Sequence, residues 1–495
     1  MDINILGDKP DMKMIINGKK IGGEGIVVHS PIDGREIATV PRATEKDVES
    51  AVKSAEKASL KMKELASVIK QEMLLKISEK IEENADKLAK AITLEQGKPI
   101  KEAYIEAGYV SKIFKVAAHA LSELNGGYIE SMLEPENKYI LERYEPYGVI
   151  GIITPFNFPL LLPANSIAPA LGAGNTIVFK PSELAPISGL FLSEIINDIT
   201  VSDPFLGEKK LPKGALNVIT GDSKTGELLV KNKDVDMVCF TGSMMSGKKI
   251  YESIGSTVNK SCSPKRLLLE LGGNAPVIVF EDADLKKAVE CVAYGGFSYC
   301  GEVCISTQRV YVEESIYEEF LDNLVKAANE MKHGNPLDDD TDIGPIISAE
   351  HMNKIIRFIE DAEQKGGNIL CGGRDGIYIK PTVISDISQD MLISNKEIFG
   401  PVVGISAFKN LEDAMNLANF TQQGLSAAVF TKDMSKAMNA VKRINAGTVV
   451  INDTNQWFEP HVAFGGYKWS GMGRQGGIHS LKEFSQVKTI VVDHS

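Results

Sequence analysis

The stretch VIGIITPFNFPLLLPANSIAPALGAGNTIVF, Val149 to Phe179, carries no charged residue. Its length and apolarity would suit a membrane-spanning helix, but Pro155, Pro159, Pro163 and Pro169 interrupt it, together with several glycines. Proline inside a helix removes a hydrogen bond and clashes with the preceding turn, so a span is excluded. The stretch reads instead as a buried strand ending near Ile153, a loop, a buried helix over Leu160–Leu171 and a short strand at Thr176–Phe179. Two further apolar runs, Leu216–Thr220 and Met237–Thr241, are each followed by glycine and a helical pattern. That alternation predicts a parallel α/β sheet with ligands at the carboxyl ends of its strands.

Outward from this centre, Glu45 to Gln96 shows apolar residues at helical spacing. A second α/β series is expected from Leu267: LLLEL, PVIVF, a helix over Asp284–Tyr294, the strand RVYVEES and a helix over Ile316–Met331. Gly126–Glu145 reads as a β-hairpin. The C-terminal KTIVVD reads as a lone strand, for which edge pairing with another subunit is expected. No internal repeat or low-complexity linker is visible.

The bulk properties narrow the function. A chain of 495 residues exceeds one core and predicts two or three domains. Apolar content of 43% with 24% charge is that of a globular protein, and a net charge of −12 argues against nucleic acid as partner. The lysine clusters at Lys53–Lys63 and Lys209–Lys213 have acids within or beside them and read as solvated surface. The N-terminus lacks a signal-peptide apolar region, so a cytoplasmic protein without membrane contact is expected. Six scattered cysteines do not form a disulfide framework. Cys239, Cys262, Cys291 and Cys371 read as inert thiols.

Gly242-Ser-Met-Met-Ser-Gly247-Lys248 imitates a P-loop, but Lys249 stands where a magnesium-binding Ser or Thr belongs. What remains is a strand, Gly242-Ser243 and a helix N-terminus suited to phosphate without hydrolysis. No GxGxxG follows a predicted strand, and GGEG at 22–25 lies in a polar loop. Cys300 and Cys304 lie in SYCGEVCIS with no second cysteine pair and no nearby histidine, which disfavours a metal. Their CxxxC spacing does not match the usual redox pair. His29, His119, His333 and His351 read as structural or surface residues. A nucleophilic cysteine remains, for which Gly301 beside Cys304 would let a substrate approach. It needs an oxyanion donor, for which Asn157 in PFNFP is a candidate, and a base, for which Glu270 in LLLELGG is a candidate.

In order along the chain, PFNFP, FKPSE, FTGS, LELGG, GEVC, EIFGP and FGGYKWSGMGR closely resemble the NAD(P)-dependent aldehyde dehydrogenase superfamily, from INGK at 16–19 to the final KTIVVD. The resemblance implies an α/β fold with two Rossmann-like parallel domains and a small β oligomerisation region. Residues 1–125 and 146–269 would bind cofactor, 270–483 would carry catalysis, and 126–145 with 484–495 would assemble a homodimer or homotetramer. It also implies that Cys304, rather than Cys300, is the nucleophile. Asn157 and the Cys304 N–H would hold the oxyanion, and Glu270 would activate water to release a carboxylic acid. For the cofactor it implies Thr154, Pro155, Lys180, Ser182, Glu183, Gly242, Ser243, Glu397 and Phe399. Glu183 favours NAD and Lys180 could pair with a 2′-phosphate, so NAD and NADP both stay open.

Three positions depart from the family. Glu302 stands where Gln is usual, and a carboxylate there is expected to raise the Cys304 pKa. Gln475 replaces the common Glu after GR, a change expected to be structural. Val303 stands where relatives acting on glyceraldehyde 3-phosphate carry arginine, which favours small unphosphorylated aldehydes such as lactaldehyde, glyceraldehyde or succinate semialdehyde. The competing readings are a CoA-acylating semialdehyde dehydrogenase, a non-phosphorylating glyceraldehyde-3-phosphate dehydrogenase, a non-catalytic scaffold and a P-loop ATPase. Glu270 counts against the CoA-acylating one.

Overall fold

The computed structural model describes residues 12–257 and 264–494. The N-terminal residues 1–11 and Cys262 lie outside the described residues.

Val149–Ile153 and Thr176–Lys180 are strands buried at every residue, with the helix Leu161–Gly172 between them. They sit in an eight-stranded sheet of spatial order Lys19–Ile21, Met14–Ile16, Leu216–Val218, Thr176–Lys180, Val149–Ile153, Met237–Gly242, Arg266–Leu271 and Gly471–Met472. The middle strands run parallel and the outer ones antiparallel. Alternate residues feed two separate cores. Ile150, Ile152, Ile177 and Phe179 join the larger one, while Val149, Ile153 and Val178 join the other. Burial on both faces is why these strands read as unbroken apolar runs.

A second, seven-stranded sheet runs Asn368–Asp375, Tyr378–Ser385, Val402–Phe408, Thr307–Glu313, Ala275–Val279, Ser426–Phe430 and Thr448–Ile451. It too separates two cores. The structure corrects one expectation here: LLLEL closes the first sheet, pairing with Met237–Gly242, and the second sheet's first strand along the chain is Ala275–Val279. Gly272, Gly273 and Asn274 carry the chain between them.

The predicted hairpin forms from Gly127–Glu130 and Lys138–Pro146. The C-terminal strand, Ser485–Asp493, pairs along its whole length with Lys138–Pro146 of the same chain. It therefore takes one neighbour from its own subunit and forms an edge of the three-stranded sheet. Among the described residues no helix is long and apolar enough to cross a membrane.

Candidate active site

The strands Val149–Ile153, Thr176–Lys180 and Met237–Gly242 run parallel, so their carboxyl ends share one edge of the sheet. A cavity of about 1040 Å³ opens there, lined by Thr154, Pro155, Lys180, Ser182, Glu183, Gly242 and Ser243 among others. Seven of the nine cofactor candidates are thus brought together. Ser243 Oγ accepts the Ser246 N–H at 3.2 Å, capping the helix Met244–Thr257, and Ser246 and Lys249 of that helix also line the cavity. Lys248, the lysine of the P-loop imitation, instead lies over the Trp469 ring at 4.5 Å. Lys180 is buried, which lowers its pKa, and its Nζ donates to Pro181 O at 2.9 Å and Glu183 Oε2 at 3.4 Å. An ammonium, a carboxylate, hydroxyls and a helix N-terminus, in a cavity at the upper end of ligand-pocket size, fit the ribose and pyrophosphate of a dinucleotide.

Glu397 and Phe399 are not part of that cavity lining: Glu397 bears on the Cys304 thiol, and Phe399 packs edge-on against Phe156, which does line the cavity. Glu397 Oε1 accepts the Gly273 N–H at 3.0 Å. A Cβ on Gly272 would strike the Glu397 carboxylate, and one on Gly273 the Cys304 carbonyl. The two glycines of LELGG therefore let EIFGP and the cysteine loop close on the strand bearing Glu270. That strand is paired on both sides at Glu270, in register with Thr241 and Gly471. Neither carboxylate oxygen of Glu270 meets a hydrogen-bond donor among the described residues, and burial pushes its pKa well up.

Cys304 is half-buried among Tyr299, Val303, Ile305, Leu425, Phe158 and Phe464. Burial pushes its thiol up to about 12, and the Glu397 and Glu270 carboxylates add to the rise. Cys300 turns the other way into the core of the second sheet, its Sγ donating to Gly344 O at 3.3 Å. Tyr299, Cys300 and Gly301 are consecutive left-handed residues with φ of 53°, 56° and 63°, and the Glu102 carboxylate holds the Tyr299 N–H at 3.1 Å. A Cβ on Gly301 would strike the Gly400 carbonyl. Its glycine therefore admits the backbone of EIFGP, not a substrate, which corrects the sequence reading.

Glu302 also corrects an expectation. Its carboxylate accepts from Gln96 Nε2 at 2.9 Å and from the Ile347 N–H at 3.3 Å, and lies 3.7 Å from His351 Nε2. Its charge acts on Cys300, while the carboxylates acting on Cys304 are Glu397 and Glu270. Burial pushes the Glu302 carboxyl up to about 8. His351 is a structural part of this wall: its Nε2 donates to Phe399 O at 2.7 Å, holding a residue with φ of 57°. Gln475 donates to Ser166 Oγ at 2.9 Å, so its substitution is accommodated by a hydrogen bond.

Asn157 is buried and donates through Nδ2 to Glu302 O at 2.8 Å. A carboxamide nitrogen carries two hydrogens, so one is left for a ligand. The loop's support was not foreseen from sequence. Lys98 Nζ, fully buried, donates to Asn157 O at 2.8 Å and to Glu106 Oε2 at 2.5 Å, over the Phe158 ring at 3.8 Å. Glu106 Oε1 takes the Leu160 and Leu161 N–H groups at 2.9 and 3.1 Å, satisfying the start of the helix Leu161–Gly172. The visible signal was weak: a lysine between glycine and proline in QGKPI, where two helical patterns meet.

A thiol, a carboxylate without a donor among the described residues and a carboxamide, near a dinucleotide-sized cavity, fit one class of protein, a nucleotide-dependent oxidoreductase. The model of the aldehyde dehydrogenase family matches residues 18–490. Lactaldehyde dehydrogenase of Methanococcus aeolicus is 37% identical over 97% of this chain and 100% of its own. Betaine aldehyde dehydrogenase of Bacillus subtilis is 36% identical over 96% of each. Among solved structures, an NAD-dependent aldehyde dehydrogenase from Sinorhizobium meliloti superposes with a TM-score of 0.92 at 34% identity, over 99% of this chain and 96% of that one. A Staphylococcus aureus betaine aldehyde dehydrogenase in complex with NAD+ gives 0.91 at 33%, over 98% of each. The chain belongs to the aldehyde dehydrogenase family.

Proposed function

We propose that this enzyme oxidises a small unphosphorylated aldehyde to its carboxylic acid with NAD, through an adduct on Cys304. The observation that carries the reading is the bare, buried Glu270 carboxylate that bears electrostatically on the Cys304 thiol. A buried carboxylate without a donor is costly to keep unless its basicity is used.

The Cys304 thiolate adds to the carbonyl carbon, and the uncommitted Nδ2 hydrogen of Asn157 with the Cys304 N–H takes the developing oxyanion. Such a donor contributes about 3–4 kcal/mol in other enzymes. A nicotinamide bound in the cavity supplies the hydride acceptor for the oxidation. Lys180, Glu183 and Ser243 would hold the ribose and pyrophosphate, with Thr154, Pro155, Ser182 and Gly242 shaping the cavity and Glu397 and Phe399 placing the nicotinamide end. The acyl group is left on Cys304 as a thioester. Glu270 removes a proton from the attacking water, the carboxylic acid leaves and the thiol is restored. Ionised Glu270 becomes more abundant with pH because burial raises its pKa, so hydrolysis quickens as pH rises.

Substrate and cofactor follow from the surroundings. Val303 and Ile305 sit in an apolar cluster around the thiol, and Lys98, whose ammonium lies over the Phe158 and Tyr299 rings of that cluster, is committed to Glu106 and the Asn157 carbonyl rather than to a phosphate. The relatives called lactaldehyde dehydrogenases make lactaldehyde the first candidate, ahead of glyceraldehyde and succinate semialdehyde. Glu183 beside Lys180 opposes a 2′-phosphate, favouring NAD over NADP.

The first sheet with its helices, from 1–125 and 146–269 continued through Leu271, is the cofactor unit. The remainder to 483 carries the nucleophile, together with the short edge strand Gly471–Met472 that it lends to the first sheet. The three-stranded sheet, 126–145 with 484–495, exposes Tyr128, Tyr139 and Leu141 on one face and Ile129, Val487 and Val491 on the other, apolar surfaces suited to a homodimer or homotetramer. Free thiols at five described cysteines suit a reducing, cytoplasmic compartment.

The test is the appearance of reduced nicotinamide, with NAD and NADP separately, across these three aldehydes without CoA. Turnover with NAD alone is expected. Reduction that requires CoA would overturn the hydrolytic role of Glu270.

A further inference from the structure

The lysines Lys53, Lys57 and Lys61 recur every four residues on the helix Glu45–Glu64 and so share one face. In the fold that face meets two other segments. The turn Asn17-Gly18, left-handed at φ of 54° and 69°, brings in Lys19. Lys213, from the loop before the strand Leu216–Val218, lays its side-chain carbons 3.4 Å from where a Gly18 Cβ would stand. These five lysines, together with Asn17, Ser50 and Ser54, line a cavity of about 700 Å³ in whose lining no acidic residue takes part.

Only Lys53 is neutralised, by Glu49 at 2.8 Å. Among the described residues Lys19, Lys57, Lys61 and Lys213 make no ion pair. Like charges at four-residue spacing on a helix repel, and here two more cations from elsewhere in the chain are added. The helix C-terminus favours Lys61 on its own, but it does not explain why Lys19 and Lys213 converge on it. A second observation points the same way. Ser54 lines the cavity and is nine-tenths buried, and its enclosed Oγ has no hydrogen-bond partner among the described residues. A buried hydroxyl without a partner is unfavourable and is satisfied by an acceptor or donor entering from the cavity. Gly214, next to Lys213, packs against this same serine.

We propose that this cavity is a binding site for a small polyanion carrying at least two closely spaced phosphate or carboxylate groups, separate from the dinucleotide cavity. Lys57, Lys61, Lys213 and Lys19 take the charge and Ser54 Oγ gives a directed hydrogen bond at the floor. The site stands out against a chain whose net charge is −12, so the binding is local charge complementarity rather than general attraction of anions.

The test is calorimetric titration of the full-length enzyme, saturated with NAD to occupy the other anion site. Inorganic tripolyphosphate is one probe and citrate the other, so the two arms distinguish phosphate from carboxylate ligands. One site per chain is expected for at least one probe. Binding should weaken about tenfold or more in Lys57→Ala/Lys61→Ala/Lys213→Ala and severalfold in Ser54→Ala. Replacing the paired surface lysines Lys76, Lys80 and Lys115 with alanine should leave it unchanged. No saturable binding by either probe, or equal loss in the control variant, would overturn the site.

Discussion

Two buried carboxyl groups flank the cysteine loop, and they differ in what they touch. Glu302 is two residues from Cys304 in sequence, yet its oxygens are taken by Gln96 and the Ile347 amide and its charge falls on Cys300. Glu270 is thirty-four residues from Cys304 (304 − 270), lies on a strand of the first sheet, has no hydrogen-bond donor among the described residues and acts on the Cys304 thiol. Both are desolvated, and both are pushed above the usual carboxylate range. Hydrogen-bond saturation, not distance along the chain or burial, separates the group built into the wall from the group free to move a proton.

Substituting the two in parallel is the strongest way to break this contrast. Glu270→Gln should lower steady-state turnover about 10²–10⁴-fold while leaving a single burst of reduced nicotinamide, because the thioester forms and is not hydrolysed. Removing that carboxylate also lowers the Cys304 pKa, so iodoacetamide alkylation at pH 9 should quicken. Glu302→Gln should change turnover and alkylation by less than about threefold. A large loss of turnover in Glu302→Gln would sink the distinction.

A smaller effect is expected one layer back. Lys98 and Glu106 are a buried ion pair that fixes the Asn157 carbonyl and the amides at the start of the next helix. Removing Lys98 alone would strand a buried charge and cost about 3–5 kcal/mol. The informative variant is therefore Lys98→Met/Glu106→Gln, whose glutamine still accepts the Leu160 and Leu161 amides. Its kcat should fall roughly 10–100-fold through a displaced Asn157, with KM for NAD unchanged. An unchanged kcat per folded molecule, whatever the melting temperature, would make the pair merely structural.

The contrast also shows what the chain lets one read without coordinates. Strands buried on both faces announce themselves as apolar runs, so Val149–Ile153 and Thr176–Lys180 were visible from composition alone. Which sheet a strand joins is a tertiary matter, and for that reason the apolar run of Arg266–Leu271 does not reveal that it belongs to the first sheet rather than the second. The neighbour of Ser485–Asp493 lies some 340 residues upstream (486 − 146), with nothing local to name it. In the site, Cys304, Glu270 and Asn157 stood out because each lies in a motif. Lys98 did not, since a buried lysine and a solvated one are the same letter. For Glu302 and Gly301, nearness to Cys304 along the chain does not mean contact: their neighbours are Gln96 and Gly400.

The finest test of the comparison is thermodynamic. With a native pKa of about 8 against an ordinary value of 4.5, folded Glu302 keeps a proton that the unfolded chain releases. Between those values the native state binds more protons, so this group's contribution to stability falls as pH rises from about 4.5 and levels off above about 8. Glutamine has no such proton to lose and can still accept the Ile347 amide. Glu302→Gln should match the parent protein at pH 5 and be more stable at pH 9, by a few kcal/mol at most. The slope would not vanish, because Glu95, Glu102 and Glu397, each raised to about 7 by burial, add the same sign. Melting curves at pH 5, 7 and 9 for parent and variant therefore read the gap between them rather than either slope. A gap that stays constant with pH would mean Glu302 is ionised in the fold, and that its hydrogen bonds outweigh its burial.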